Sequence, residues 1–401
     1  MKSARFLDRR TPPHVATLVL LAGLSTLAMN VFLPSLPGMA RWFGVDYAVM
    51  QLSVSSYLAG SALLQIIVGP LSDRFGRRPV ILFALAVFVI ATLAALFAPS
   101  AHWFLAARVA QAVVATGMAL SRAVIRDMVP TEQAASMIGY VTMAMSVVPM
   151  IGPAIGGALD EWFGWQASFV LLAVAGLLMM AMVWADLGET AQLSDRSLAA
   201  QLREYPELLT SPRFWGYAGV ASLASGAFFA YLGGSPFVGE KVFRLTPATV
   251  GYYFAAPAIG YAIGNFLAGR YSMRVGLDRM ILFGTGLSTA LLIIGAMLCR
   301  ALPSHPLVFF TSVGLMAVGN GMTLPNANAG LLSVRPHLAG SASGLGGALM
   351  IGGGAVLAAI TGPLLSEKAG HYTLLEVMAV SSGLSVLCIL MVMRRARRLR
   401  R

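Results

Sequence analysis

Along the chain, long apolar runs alternate with short polar breaks. Crossing bilayer hydrocarbon takes roughly 20 apolar residues as a helix. Runs of that kind fall near 14–36, 48–69, 79–98, 102–125, 132–159 and 166–186. A polar stretch, 187–211, follows with Glu189, Asp195, Arg196, Arg203, Glu204 and Glu207. Six more runs lie near 212–236, 248–269, 279–300, 306–333, 340–366 and 372–393. The pattern predicts an all-α membrane protein with 12 transmembrane helices. It is expected to comprise an N-terminal six-helix bundle (1–186), a cytoplasmic central loop (187–211) and a C-terminal six-helix bundle (212–401).

Composition agrees with an exterior that faces lipid. Apolar residues make up 58% of the chain and charged residues 11%, too little charge to cover a soluble protein of this length. The 42 glycines and 20 prolines fit spans, which tolerate both better than soluble helices do. The first run is too long for a cleaved signal peptide, and no small-residue cleavage site precedes Pro34 and Pro37.

Charge then orients the molecule. With the N-terminus inside, the 28 Lys and Arg side chains sort as 22 cytoplasmic, 5 outside and one, Arg108, within a span. The positive-inside rule accounts for that split. The net charge of +12 therefore reads as topology and contact with anionic lipid heads, not as a nucleic-acid surface. The expected location is the bacterial inner membrane, multi-pass, with both termini cytoplasmic.

The two halves repeat. At an offset of 200, Gly60 pairs with Gly260, Ala62 with Ala262, Gly69 with Gly269, Ser72 with Ser272, Arg74 with Arg274 and Gly76 with Gly276. A tandem six-helix repeat suits alternating access, in which two bundles rock around a site near the midplane.

The segment Gly69-Pro70-Leu71-Ser72-Asp73-Arg74-Phe75-Gly76-Arg77-Arg78-Pro79 between the second and third runs resembles the loop signature of the major facilitator superfamily. Pro149, then Gly152-Pro153-Ala154-Ile155-Gly156-Gly157 in the fifth run, resembles the glycine-proline motif of its drug:H+ antiporter branch. Arg108-Val109-Ala110-Gln111 resembles its buried-arginine motif. Phe229–Phe237, with the exit Phe32–Pro37 of the first run, is similar to the Bcr/CflA group of bicyclomycin- and chloramphenicol-type efflux transporters. The resemblance covers nearly the whole chain. It implies proton-driven export of antibiotics or similar small molecules. Three positions depart from the pattern: Asn30 stands where the group usually has aspartate, Ala112 where many relatives have glycine, and Met273 where the first-half loop has Asp73. Asn30 matters most, because it cannot titrate.

Arg108 is the sharpest single position, since a guanidinium in a span rarely faces lipid. It lies about 9 Å below the outer end of its helix at 1.5 Å per residue, and Asn30 falls at a similar depth. It reads either as a structural arginine bonded to carbonyls and Asn30, or as a substrate or coupling residue. Gln111, Arg122 and Arg126 share its helix face. Further substrate or coupling candidates are Asn30, Tyr57, Tyr231 and Asn320. Tyr57, Phe228, Phe229, Tyr231, Tyr252, Tyr253 and Tyr261 read singly as packing or as a wall for apolar ligands. Asn320, Asn326 and Asn328 read as cavity markers.

The loop motif Gly69, Asp73, Arg74, Gly76, Arg77 and Arg78 is expected to act as a conformational latch. Asp73 would pair with Arg122 or Arg126 and cap the eleventh helix near Gly340-Ser341. The fifth-run residues Pro149, Gly152, Pro153, Gly156 and Gly157, with Gly139 and Ser146, are expected to pack tightly on the other half near its glycine-rich eleventh helix. Titratable alternatives to Asn30 are Asp73, Asp127 and Glu376. His14, His102, His305, His337 and His371 fall near span ends and are expected to be solvated. Cys299 and Cys388 read as packing residues.

No nucleotide loop, metal-ligand cluster or nucleophile–base pair is present in the sequence. An enzyme is not expected, nor any cofactor or metal. The remaining reading is a monomeric secondary transporter with a small-molecule substrate and protons as counter-ion. Its alternative is an exporter or facilitator of an anionic metabolite that binds through Arg108.

Overall fold

The computed structural model describes residues 6–128, 131–191, 204–302, 305–335 and 338–399. Lys2, Arg5, Asp195, Arg196, Arg203, His337, Arg400 and Arg401 lie outside that set, and Gly139, Ser146 and Arg398 are described in their backbone alone. Among the described residues there is no strand. Twelve long helical segments follow one another: α1 (Val15–Phe43), α2 (Tyr47–Phe75), α3 (Arg77–Leu96), α4 (Ala101–Met128), α5 (Thr131–Phe163) and α6 (Gln166–Asp186), then α7 (Pro212–Phe237), α8 in two pieces (Pro247–Tyr253 and Ala255–Val275), α9 (Leu277–Ala301), α10 (Pro306–Leu332), α11 (Ala339–Leu364) and α12 (Gly370–Leu399). A short turn of helix, Tyr205–Leu209, lies between α6 and α7.

Breaks in the spans follow the sequence. α1 passes through a tighter turn at Leu33–Ser35, where Pro34 and Pro37 remove two backbone donors. Pro149 and Pro153 lie inside α5. α4 tightens at Ala112–Val114, one residue beyond Gln111. The loops α2–α3 and α8–α9 turn on Gly76 (φ 95°) and Gly276 (φ 91°), in a region open almost only to glycine.

Small residues decide which helices meet. A Cβ on Gly156 would lie on the Val31 carbonyl of α1, one on Gly157 would meet Pro247 O at 2.3 Å, and one on Gly251 would meet Pro153 O at 2.3 Å. So α5 packs on α1 and crosses to α8. This corrects the expected pairing of α5 with α11. Its partner across the halves is α8, while α11 packs on α2, with Gly347 against Gln65 and Gly362 against Gln51. The exchange is the one a two-fold relation requires, since α2 and α5 of one half correspond to α8 and α11 of the other.

The molecule has a terminal face, where α1 begins and α12 ends, and an opposite face. At the opposite face the halves are bridged. Arg41 pairs with Glu240, Tyr47 Oη donates to Gly233 O, Gln51 Nε2 donates to Ala358 O at 2.8 Å, and Glu161 accepts from Ala248 N at 3.2 Å. At the terminal face, a Cβ on Gly69 or on Gly340 would meet nothing within 4 Å. The arrangement is therefore joined at the opposite face.

The N-terminal segment is fastened inside the first half. Asp186, fully buried at the end of α6, accepts from Leu7 N at 2.8 Å, His14 N at 2.9 Å and Thr17 Oγ1 at 2.7 Å. Those three bonds satisfy a carboxylate taken out of water. His14, His102 and His305 are exposed as expected, but His371 is only 2% exposed. It packs between Phe243 and Tyr372, its Nε2 3.2 Å from Cys299 O.

Candidate functional site

α3 is apolar from Val80 to Leu96 except for one hydroxyl, Thr92. α4 brings Arg108 and Gln111 to the same face, three residues apart. The three form a directed chain. Arg108 Nη1 donates to Gln111 Oε1 at 2.5 Å, Gln111 Nε2 donates to Thr92 Oγ1 at 2.7 Å, and Thr92 Oγ1 donates to Phe88 O at 2.7 Å. Arg108 Nη1 also reaches Ala28 O of α1 at 3.2 Å.

All three side chains are fully buried, so the guanidinium needs compensation for lost hydration. Among the described residues no carboxylate pairs with it. Two aromatic faces take that part. The guanidinium carbon stands 4.3 Å from the Phe32 ring centre and 4.6 Å from that of Tyr57. A desolvated contact of this type is worth about 2 kcal/mol. Tyr57 is itself pinned by its hydroxyl donating to Ser25 O at 3.1 Å. Nε and Nη2 of Arg108 are buried without a partner among the described residues. Those donors can serve a ligand's carbonyl, hydroxyl or anionic oxygen.

Asn30 lies two residues beyond Ala28, fully buried. Its Nδ2 donates to Thr26 O at 2.7 Å and its Oδ1 has no partner. The expected meeting of Arg108 and Asn30 is therefore replaced by one between Arg108 and the Ala28 carbonyl of the same helix. An amide that bonds its own preceding turn leaves only its oxygen to turn outward. Gly152 of α5 packs beside it, where a Cβ would stand 3.8 Å from Asn30 Cβ.

In the second half, Tyr231 of α7 is fully buried within Phe228, Phe254 and Phe309. Asn320 of α10 ties to α7 through Nδ2 and Ala224 O at 2.9 Å. Asn326 is buried and bonds Met322 O at 2.8 Å. Asn328 is exposed. Tyr252 is likewise 64% exposed, whereas Tyr253 stacks on Phe310 at 4.2 Å.

The loop motif is built as a closed network in its own half. Arg77 pairs with Asp73 at 2.5 Å and with Asp127 at 3.1 Å, and it bonds the Ser72 hydroxyl. Asp73 therefore engages neither Arg122, Arg126 nor α11. Ser341, the expected acceptor, instead donates to Glu204 of the central loop. The terminal ends of the halves are not joined at Gly69, which leaves Asp73 the near cation four residues on. Arg78 donates to Trp184 O at 3.1 Å and Arg74 lies over the Phe75 ring. Glu189 completes the loop. Its carboxylate accepts from Arg77 N at 2.8 Å and Arg78 N at 3.3 Å, capping the start of α3. A Cβ on Gly76 would stand 2.4 Å from its Oε2.

Sequence reasoning passed over Thr92, Glu189 and Asp186. Thr92 had a signal, the lone hydroxyl of an apolar run. So did Asp186, an acid inside the last turn of a span. Of the titratable alternatives to Asn30, Asp73 and Asp127 are held by Arg77, and Glu376 pairs with Arg300 at 2.5 Å near the start of α12. No described carboxylate stands in the middle of a span.

A family model, that of the Major Facilitator Superfamily, matches residues 18–246 and 240–401. The chain belongs to that superfamily. It is thus a multi-pass membrane transporter of small molecules and not an enzyme. Its relatives include a bicyclomycin resistance protein homologue of Haemophilus influenzae, 27% identical over 88% of this chain and 90% of that one. A chloramphenicol resistance protein of Pseudomonas aeruginosa is 30% identical over 84% and 82%. Among solved structures, a bacterial homologue of the human lysosomal transporter Spinster, in an inward-facing and unoccupied conformation, superposes with a TM-score of 0.75. It is 16% identical and covers 96% of each chain. That likeness concerns the fold.

Proposed function

We propose that this transporter exports amphipathic drugs or antibiotics across the bacterial inner membrane by alternating access, with protons as the counter-ion. One observation carries the reading: buried donors of Arg108 and the buried oxygen of Asn30 are left unspent among aromatic walls. Buried polar groups cost free energy unless something satisfies them, and an apolar wall with few polar points suits varied ligands. The names of the bicyclomycin- and chloramphenicol-resistance relatives agree with it.

On this reading Asn30, Tyr57, Arg108, Gln111, Tyr231 and Asn320 contact the drug or transmit its binding. Residues 1–186 and 212–401 rock as two bundles in a monomer, joined by 187–211 on the cytoplasmic side. Both termini are cytoplasmic, as the charge asymmetry directs, so the terminal face is the inner one. The 69–79 loop engages the other half only when the halves close there. Pro149, Gly152, Pro153, Gly156 and Gly157 give the close approach on which the bundles turn.

The test is drug accumulation in an efflux-deficient bacterium expressing the chain, with and without an uncoupler. Lower accumulation that an uncoupler abolishes is the expected result. Efflux that persists after the gradient collapses removes the proton from the proposal. A second reading, export of an anion, is favoured by the absence of any described carboxylate beside Arg108. Arg108→Gln should then weaken anionic substrates at least about tenfold more than neutral ones, since one lost charged hydrogen bond is worth about 1.5–3 kcal/mol. Equal losses would sink it.

A further inference from the structure

The two halves treat the start of their third helix differently, and the difference leaves a basic cleft in the second half. The cleft has a volume of about 380 Å³ and opens at the terminal face. Three arginines from three elements line it: Arg213 at the start of α7, Arg279 in the first turn of α9 and Arg397 in the last turns of α12. None of the three forms an ion pair with a described carboxylate. Asp278, the one acid in the wall, is engaged by the Tyr217 hydroxyl at 2.6 Å. Three cations against one anion leave the lining at +2.

In the first half the equivalent place is filled from within the chain, because Glu189 covers the amides that open α3. In the second half no described side chain accepts from the amides that open α9, and a Cβ on Gly276 would meet nothing within 4 Å. The cleft thus combines three arginines in its lining, Arg213 lying over the Tyr217 ring, with open space at Gly276 where an acidic oxygen stands in the other half. Guanidinium forks match phosphate geometry. The level also fits a membrane surface. Met393, where the apolar run of α12 gives way to Arg394 and Arg395, lies in the cleft wall with Val275 and Leu277. Basic recesses between spans at the cytoplasmic surface are places where anionic head groups settle.

We propose that this cleft binds the phosphate of an anionic membrane lipid, held by Arg213, Arg279 and Arg397 with its acyl chains leaving along α9 and α12. The site is independent of what the chain transports. It fixes the second half to the inner leaflet at the same depth where Glu189 closes the first.

Native mass spectrometry of the purified full chain, titrated with phosphatidylglycerol, with phosphatidylcholine or with inorganic phosphate, tests this. The parent is expected to retain a tightly bound phosphatidylglycerol and to show no equivalent phosphatidylcholine adduct. The triple variant R213Q/R279Q/R397Q should weaken that adduct at least about tenfold, in line with the worth of single basic residues at a membrane surface. The triple variant R270Q/R394Q/R395Q removes the same charge outside the cleft and should change it less than about twofold. Should the cleft triple not fold, judged by its thermal transition, the single variant Arg279→Gln is expected to weaken the adduct about fivefold. Equal losses in the two triples, or an unchanged adduct in the cleft variant, overturn the proposal. Displacement of the lipid by millimolar inorganic phosphate overturns the lipid assignment in favour of free phosphate.

Discussion

The loops that follow α2 and α8 share a backbone and little else. Both end on a glycine at φ near 90° and hand over directly to the next helix. Ser72, Arg74 and Gly76 recur as Ser272, Arg274 and Gly276. Yet the first loop is a satisfied network: Asp73, Asp127 and Ser72 surround Arg77, and Glu189 caps α3. In the second, Met273 replaces Asp73 and is 95% exposed, Leu277 replaces Arg77, and the Ser272 hydroxyl has no partner. Repetition preserved the turn, which steric limits on φ enforce. The charges, which only partners enforce, diverged.

Substitutions that hit both loops alike should give unequal results, and the largest inequality is expected at the glycines. Gly76→Ala and Gly276→Ala both impose backbone strain of about 1–3 kcal/mol. Gly76→Ala additionally drives a methyl into Glu189, so its thermal transition in detergent should fall further than that of Gly276→Ala. Matching falls would break the contrast. Next comes Glu189→Ala, which strips the acceptor from two helix-start amides. A loss of about 0.5–2 kcal/mol and a lower transport rate are expected, and a stability indistinguishable from the parent would show the cap to be idle. Tyr217→Phe removes the hydroxyl that engages Asp278, the acid of the second loop. Its cost should stay near 0.5–1.5 kcal/mol, measurable by the same melting experiment, and a cost above that of Glu189→Ala would reverse the ranking. Asp73→Asn is expected to be the mildest for stability, within about 1 kcal/mol, because the Asp73 carboxylate is 39% exposed and Arg77 keeps Asp127 and Ser72. Its larger effect should appear in transport, where the loop must change partners.

The fold was largely written in the apolar runs. The sixth apolar run, 166–186, is a helix over those residues. The second apolar run stops at 69, but α2 continues to Phe75. Polarity of Ser72, Asp73 and Arg74 does not stop a helix; the positive φ of Gly76 does. Arg108 announced itself as a lone charge in an apolar run, since burying a cation needs a reason. Its setting between Phe32 and Tyr57 depends on α1 and α2 meeting α4, which no local pattern carries. The same limit hid the partner of α5: a stripe of glycines shows that some helix comes close, not which. Asp73 illustrates a third kind of limit. A motif names the groups able to pair, while the conformation selects among them.

Asp186 sets an order of events in synthesis. The amides of Leu7 and His14 and the hydroxyl of Thr17 wait for a carboxylate that lies 169 to 179 residues further on. At translation speeds of about 5–20 residues per second, that wait lasts on the order of ten to thirty seconds. Until the sixth span has emerged from the ribosome, the head of the chain has nothing to dock on.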